Sequence, residues 1–172
     1  MAKYLIETIT LDSSAASITF NNIPQTYTDL QIVLSVRSDE SSGSDLLEID
    51  FNSNASNQSS LALRGDGSSV ISFTTSTLRI ANINNSGQTS NTFSSISTYI
   101  TNYAAASAKS VSSDFAMENN DTFSYQGVGA SLWDNTSAIT SITLSAAFDF
   151  IAGSTASLYG FLAGNDGSTT VS

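Results

Sequence analysis

The stretch Phe20–Ser38, FNNIPQTYTDLQIVLSVRS, contains the clearest strand signal in the chain and also its only proline. From Leu30 to Val36, apolar side chains occupy every second position. A period of two predicts a β-strand with one face buried. Pro24 restricts the residue before it to extended geometry and lacks an N–H for a β-ladder. We therefore expect one strand to end before Pro24, and the chain to cross over before the next strand begins near Leu30.

The same alternation recurs along most of the chain, in at least nine segments. Clusters of Gly, Asn, Asp and Ser separate them, and these residue types favour turns. The only helix-permissive stretch, TNYAAASAKS, lacks an apolar stripe and is expected to be a loop or a short turn. Besides the run in the opening stretch, the alternating segments are YLIETITL, ASITF, LLEIDF, LRIANI, FSSISTYI, KSVSSDFAM, TFSYQGVGASLW, SITL and ASLYGFL.

Many short strands with turns at this spacing predict an all-β protein, an antiparallel β-sandwich that is jelly-roll-like. A chain of 172 residues fits a single domain, which we place at residues 1–164. Residues 165–172 read as a polar C-terminal tail with little to bury.

The composition excludes several kinds of chemistry. The chain has no cysteine and no histidine, so thiolate metal sites and Ser-His-Asp catalysis are ruled out. Its carboxylates lie mostly in turns, and no spacing singles out a catalytic pair. Calcium needs only oxygen ligands, which SDESSGSD or ENND could supply, but neither has the spacing of a dedicated loop. We therefore expect a non-enzymatic protein with no catalytic residues, metal or cofactor.

The charge and the terminal sequence bear on partners and location. The net charge is -10, and the five cations are scattered, which argues against a nucleic-acid or anionic-membrane partner. Residues 1–11 lack the apolar run of a signal peptide, so we expect synthesis in the cytoplasm without secretion. Polarity comes mainly from 34 serines and 19 threonines. Such a hydroxyl-rich β surface is typical of extracellular or particle-borne proteins.

The aromatic residues leave two interpretations open. Exposed rings near Asn and Asp form sugar-binding platforms, so Trp133, Tyr99 and Tyr103 are candidates for a glycan-binding site. However, Trp133 shares one strand parity with Phe123 and Tyr125, with glycines between them, and burial in the core explains this pattern at least as well. Burial is the favoured interpretation.

One short motif also invites two readings. The tripeptide RGD at residues 64–66 matches an integrin-binding sequence, but it arises easily by chance. We interpret RGDGSS as a Gly-rich turn that leaves a strand.

Several phrases in the same order carry a resemblance. They are YLIETITL, ASITFNNIPQTYTDLQIVLSVRS, MENND, LWDNTSAITSITL and STASLYGFL, and together they span Tyr4 to about Leu162. With these phrases the chain resembles virion structural proteins of tailed bacteriophages, especially phages of marine bacteria and cyanobacteria.

This resemblance implies a non-enzymatic particle component with a jelly-roll-like fold. Similar proteins are capsid decoration (cement) proteins, often trimers on the outer shell, and related sequences occur in tail and head fibres. The implied partners are the major capsid protein or other virion subunits. The implied location is the exterior of the virion, after synthesis in the bacterial host cytoplasm and release by lysis. A fibre or adhesin-type carbohydrate-binding module is the alternative function.

Overall fold

The computed structural model describes residues 2–120 and 123–162, and these form two antiparallel β-sheets packed face to face. The all-β antiparallel sandwich predicted from the alternation is therefore confirmed. The predicted tail, residues 165–172, lies outside the described residues. The strands are β1 (Ala2–Thr10), β2 (Ala15–Phe20), β3 (Asp29–Val36), β4 (Asp45–Phe51), β5 (Gln58–Gly65), β6 (Val70–Thr75), β7 (Arg79–Ile83), β8 (Ser94–Ile100), β9 (Lys109–Ala116), β10 (Gln126–Trp133), β11 (Ile142–Phe150) and β12 (Thr155–Leu162).

The strand order is that of a jelly roll with a one-sided extension. The smaller sheet has the order β2-β11-β4-β7, and the larger has the order β1-β12-β3-β8-β9-β10-β5-β6. The first four strands of the larger sheet and the four strands of the smaller one have the order of a jelly roll, and the chain passes between the two layers as in that fold. The smaller sheet also meets the extension, because β7 lies against β9 and β10. Two inserted hairpins, β5–β6 and β9–β10, continue the larger sheet beyond β8.

The core lies between the two layers, and β3 shows why the alternation predicts it. Leu30, Ile32, Leu34 and Val36 are buried, whereas Val33 between them is exposed. Because successive side chains of a strand point to opposite faces, one apolar parity is enough to seal one face of the sheet. The smaller sheet contributes Ile18, Phe20, Leu47, Ile49, Phe51, Ile142 and Leu144.

Pro24 lies where the sequence predicts, in the crossover between β2 in the smaller sheet and β3 in the larger. Its carbonyl oxygen accepts a hydrogen bond from the hydroxyl of Tyr103, which is buried in the bends and turns of residues 101–107. The stretch TNYAAASAKS, expected to be a loop or a short turn, forms no helix. Instead it anchors the crossover through a buried tyrosine.

Two of the five cations are buried and structural. Arg37 donates hydrogen bonds to the carbonyl oxygens of Gln88, Thr89 and Thr92 and so closes the loop between β7 and β8. Lys109 is fully buried at the start of β9, and its Nζ donates to the carbonyl oxygens of residues 105 and 107. Burial lowers the pKa of both side chains. Neither charge is therefore free to meet a ligand.

Candidate binding surface

The outer face of the larger sheet is open to solvent across β3, β8, β9 and β10. Near its middle this face carries small polar side chains, among them Ser35, Ser95, Ser112 and Asp114, all of which are exposed. The antiparallel register aligns them in rows that run across the strands. The central part of the outer face is thus hydroxyl-rich, as the composition led us to expect.

Towards β6 the outer face becomes apolar. Val128 lies opposite Leu63, and Ala130 lies opposite Leu61. Val70 continues this surface on β6, the edge strand of the sheet. We call Leu61, Leu63, Val70, Val128, Ala130 and Leu132 the apolar patch. Its leucines and valines are between 41% and 75% exposed. Large exposed apolar patches on globular folds are often sites of contact with another molecule, which makes the apolar patch the candidate binding surface.

The inward face of β10 explains why its aliphatic side chains point outwards. A Cβ on Gly127 would lie 2.5 Å from the ring of Phe115, and a Cβ on Gly129 would lie 2.7 Å from the Oγ of Ser113. Only glycine therefore lets the side chains of β9 lean over the inner face of β10. This inner face is occupied by neighbouring side chains, and Val128, Ala130 and Leu132 take the outer parity.

Two shallow grooves cross the apolar patch. One is lined by Leu63, Val70, Val128 and the polar side chains of Asp114 and Gln126. The other runs between Leu61 and Leu132, with serine and threonine hydroxyls along its sides. An apolar floor with polar edges suits a protein side chain better than a small charged metabolite.

Cation–π contacts hold the inner face of the β5–β6 hairpin. The guanidinium of Arg64 lies 4.3 Å from the ring centroid of Tyr125, and that of Arg79 lies 4.1 Å from the ring centroid of Phe73. Burial lowers the pKa of Arg79 to about 10, and the positive charge of Arg64 adds to this lowering, while Glu48 opposes it. The hairpin is thus fixed to β7, although it projects beyond the sandwich.

The RGD tripeptide lies at the tip of this hairpin. Its arginine and glycine end β5, and Asp66 begins the turn. The carboxylate of Asp66 accepts hydrogen bonds from the backbone N–H groups of Ser68 and Ser69, and these bonds lower its pKa. The motif is a Gly-rich turn leaving a strand, as interpreted from the sequence.

The structure does not bring the three glycan candidates together on one surface. Trp133 and Tyr103 are fully buried, the first facing inwards on β10 and the second beneath Pro24. These buried rings offer no face to a ligand, and the burial of Trp133 agrees with the interpretation that the sequence favoured. Tyr99 alone lies on the outer face, half-buried, and its hydroxyl donates a 2.7 Å hydrogen bond to Asp29. Burial, followed by that hydrogen bond, raises the pKa of Tyr99 to about 12.

The apolar patch was not predicted from the sequence, although signals for it exist. Leu61 and Leu63 alternate with smaller or polar side chains, but they follow a turn-like run, NSNASNQSS, that hides the beginning of β5. In β10 both parities carry apolar residues, so alternation alone does not identify the core-facing one. The glycines at 127 and 129 are the feature that identifies the inner parity.

Within residues 2–120 and 123–162, no cluster of three or more acidic side chains is arranged to hold a metal ion. Asp45, in one of the stretches considered for calcium, accepts hydrogen bonds from the backbone N–H groups of Leu46, Ala147 and Phe148 instead.

Among residues 2–120 and 123–162, no helix has the length and hydropathy to cross a membrane. Comparisons with protein-family models, curated proteins and solved structures found no match.

Proposed function

We propose that this protein is a non-enzymatic virion component of a tailed bacteriophage, a capsid decoration (cement) protein that binds the outer capsid surface and stabilises the shell. The observation that carries the proposal is the apolar patch on the outer face of the β5–β6 and β9–β10 extension. Such a surface serves contact between proteins, since burying its aliphatic side chains stabilises a complex without catalytic chemistry. The proposal that the partner is a phage capsid rests on the sequence resemblance to virion structural proteins.

The distribution of charge supports an exterior position. Arg37 and Lys109 are buried against carbonyl oxygens, and Lys3, Arg64 and Arg79 lie against aromatic rings. With its cations engaged in this way and a net charge of -10, the protein offers little to attract packaged DNA. Its partners in the proposal are the major capsid protein or other virion subunits and further copies of itself, with a trimer favoured. Synthesis takes place in the host cytoplasm.

Capsid binding tests the proposal. A double variant, Leu63→Ser with Val128→Ser, removes two opposed side chains from the centre of the apolar patch. Val33→Ser is the matched control, because Val33 is also an exposed aliphatic residue on the same sheet but lies on β3, outside the patch.

The assay is co-sedimentation with capsids that lack the protein, together with thermal unfolding. We expect the double variant to lose at least about tenfold in affinity, which corresponds to about 1.4 kcal/mol, while the control binds normally. Both variants should unfold within a few degrees of the wild type, since exposed substitutions have small effects on stability. Failure of the wild-type protein to bind capsids would overturn the proposal.

A fibre or adhesin-type carbohydrate-binding module is the second candidate, favoured by aromatic rings at the opposite end of the outer face. Tyr99 and Phe161 have ring centroids 5.5 Å apart, and the Nζ of Lys3 lies 3.9 Å from the ring centroid of Tyr159. A glycan array is the test. Binding that disappears in Tyr159→Ala, while capsid binding is absent in the wild type, would favour this candidate.

A further inference from the structure

The strand β6 is an edge of the larger sheet, and within the described part of the chain it has none of the usual protection against edge pairing. Its sequence, VISFTT, contains no charged residue and no proline, and its pairing with β5 is regular. Val70 is 75% exposed on the outer face, and Ile71 is 45% exposed on the inner face. An open, apolar and regular edge strand presents free N–H and C=O groups that can pair with another strand.

The other edges of the two sheets differ from β6. The opposite edge of the larger sheet, β1, carries Lys3 and Glu7 and has a bulge between Leu5 and Glu7. In the smaller sheet, β7 is almost wholly buried, and β2 directs its large apolar side chains inwards. Charges and bulges discourage edge pairing, so β1 is protected in a way that β6 is not.

We propose that β6 pairs antiparallel with β6 of a second copy of this chain around a two-fold axis, joining the two larger sheets edge to edge. The inference deepens the proposed function, because it names the surface through which copies meet, and it rests on that function for its role in shell assembly. A two-fold axis normal to the sheet and centred on Ser72 sets Ile71 of each copy opposite Phe73 of the other. The same register sets Val70 opposite Thr74.

Charge is the first reason for choosing a second copy as the occupant. Two chains of net charge -10 repel each other, so they meet at the lowest electrostatic cost where their surfaces carry no net negative charge. The strand β6 is uncharged, and beside it Arg64 and Arg79 lie against Phe73 and Tyr125. These two cations offset the carboxylate of Glu48, which acts on Arg79, and that of Asp66 in the turn of the same hairpin, so the surroundings of β6 carry no excess of negative charge.

Continuity with the apolar patch is the second reason. Leu63 lies opposite Ser72 and Gly65 lies opposite Val70, so the patch extends directly to the open edge. Pairing of two β6 strands would place the patches of the two copies side by side, doubling the apolar surface available to a capsid. A two-fold contact joins two subunits, so in an assembly of trimers it would link one trimer to the next.

The absence of native cysteine makes disulfide trapping a direct test. In an antiparallel pair, directly opposite residues have Cα atoms about 4.5–5.5 Å apart. A disulfide accepts this separation. Ser72→Cys places the only thiol of each 172-residue chain on the proposed axis. Under mild oxidation we expect most of this variant to run as a covalent dimer on a non-reducing gel.

Matched variants test the surface and the register. Ser112→Cys places another solvent-exposed thiol on the outer face of β9, and we expect it to stay monomeric under the same oxidation. Val70→Cys and Thr74→Cys should each stay monomeric alone, yet form a disulfide-linked dimer when the two variants are mixed. Linkage of Ser72→Cys no faster than that of Ser112→Cys would overturn the pairing.

A charge variant separates this inference from the proposed function. Ser72→Lys puts a cation at the centre of the proposed contact and should abolish the two-fold association measured by analytical ultracentrifugation, without lowering the unfolding temperature. Association that survives this change would contradict the pairing. If Ser72→Cys forms disulfide-linked dimers but the wild-type protein does not bind capsids, the proposed function is overturned and the β6 pairing stands. Capsid binding by a chain whose Ser72→Cys variant does not link would overturn the pairing alone.

Discussion

Replacing the single tryptophan tests whether the sandwich core or a ligand needs it. Trp133 is 0% exposed, and its ring centroid lies 5.5 Å from that of Phe51 in a tilted arrangement. Trp133→Ala deletes the largest fully buried side chain of the core and leaves a cavity, which should cost about 3–5 kcal/mol. For a domain whose unfolding free energy is about 5–15 kcal/mol, this loss is a large fraction of the total.

Trp133→Phe should be much milder for a specific reason. The indole Nε1 is buried and has no hydrogen-bond partner among the described residues. Leaving such a donor unsatisfied costs about 1–3 kcal/mol, so removing it offsets part of the area lost with the larger ring. We therefore expect Trp133→Phe to cost less than about 1.5 kcal/mol, in the range of conservative core replacements.

Urea unfolding followed by far-ultraviolet circular dichroism measures both changes, since neither variant keeps the fluorophore. Phe123→Ala is the matched control, because Phe123 is 44% exposed and its truncation should shift stability by no more than about 0.5 kcal/mol. In the wild type, acrylamide should quench the native fluorescence far less than the unfolded fluorescence. The reasoning fails if Trp133→Ala unfolds at the wild-type midpoint, or if Trp133→Phe is as costly as Trp133→Ala.

Three further changes follow from local geometry. Gly127→Ala forces a Cβ to within 2.6 Å of the carbonyl oxygen of Leu63, and should lower the unfolding free energy by about 1–3 kcal/mol in urea titration. Arg37→Met removes the guanidinium donor from the carbonyl oxygens of Gln88 and Thr92 and one of the donors to that of Thr89, and should cost at least about 2 kcal/mol, with faster proteolysis between β7 and β8. Unchanged proteolysis would contradict this. Because the pKa of Tyr99 is raised to about 12, its stabilisation is complete below about pH 10 and is lost as the pH rises towards 12. Tyr99→Phe should therefore weaken the fall of stability over that window in denaturant titrations, and an unchanged slope would count against it.

Most of the fold followed from local pattern. The strands β3 and β9 alternate cleanly because one face meets the core and the other meets water, and this requirement imposes a period of two. Pro24 marks the crossover because its ring removes a ladder donor just where pairing has ended. The hairpin β5–β6 was harder to predict, since Val70 and Ile71 are adjacent apolar residues and break the alternation.

The candidate surface depends on pairings between distant parts of the chain. Val128 completes the apolar patch only because β10 lies beside β5 and sets it opposite Leu63. The inner parity of β10 is decided by Phe115, which lies on the neighbouring strand and covers Gly127. A single-sequence pattern contains neither pairing, so it favoured burial of Trp133 and the glycines but did not show that the opposite parity forms an apolar surface together with β5.

By itself the sequence determined the class of the protein: an all-β sandwich without histidine or cysteine chemistry and with a strong negative charge. Net charge and the absence of a residue type are counted along the chain, and the strand prediction comes from alternation within single segments. None of these properties depends on which strands pair. Only the tertiary structure decided that Trp133 and Tyr103 are buried, that Lys109 ends beneath backbone carbonyls, and that β6 remains an open edge. Burial and edges are properties of packing between layers, and packing joins residues that the chain itself keeps far apart.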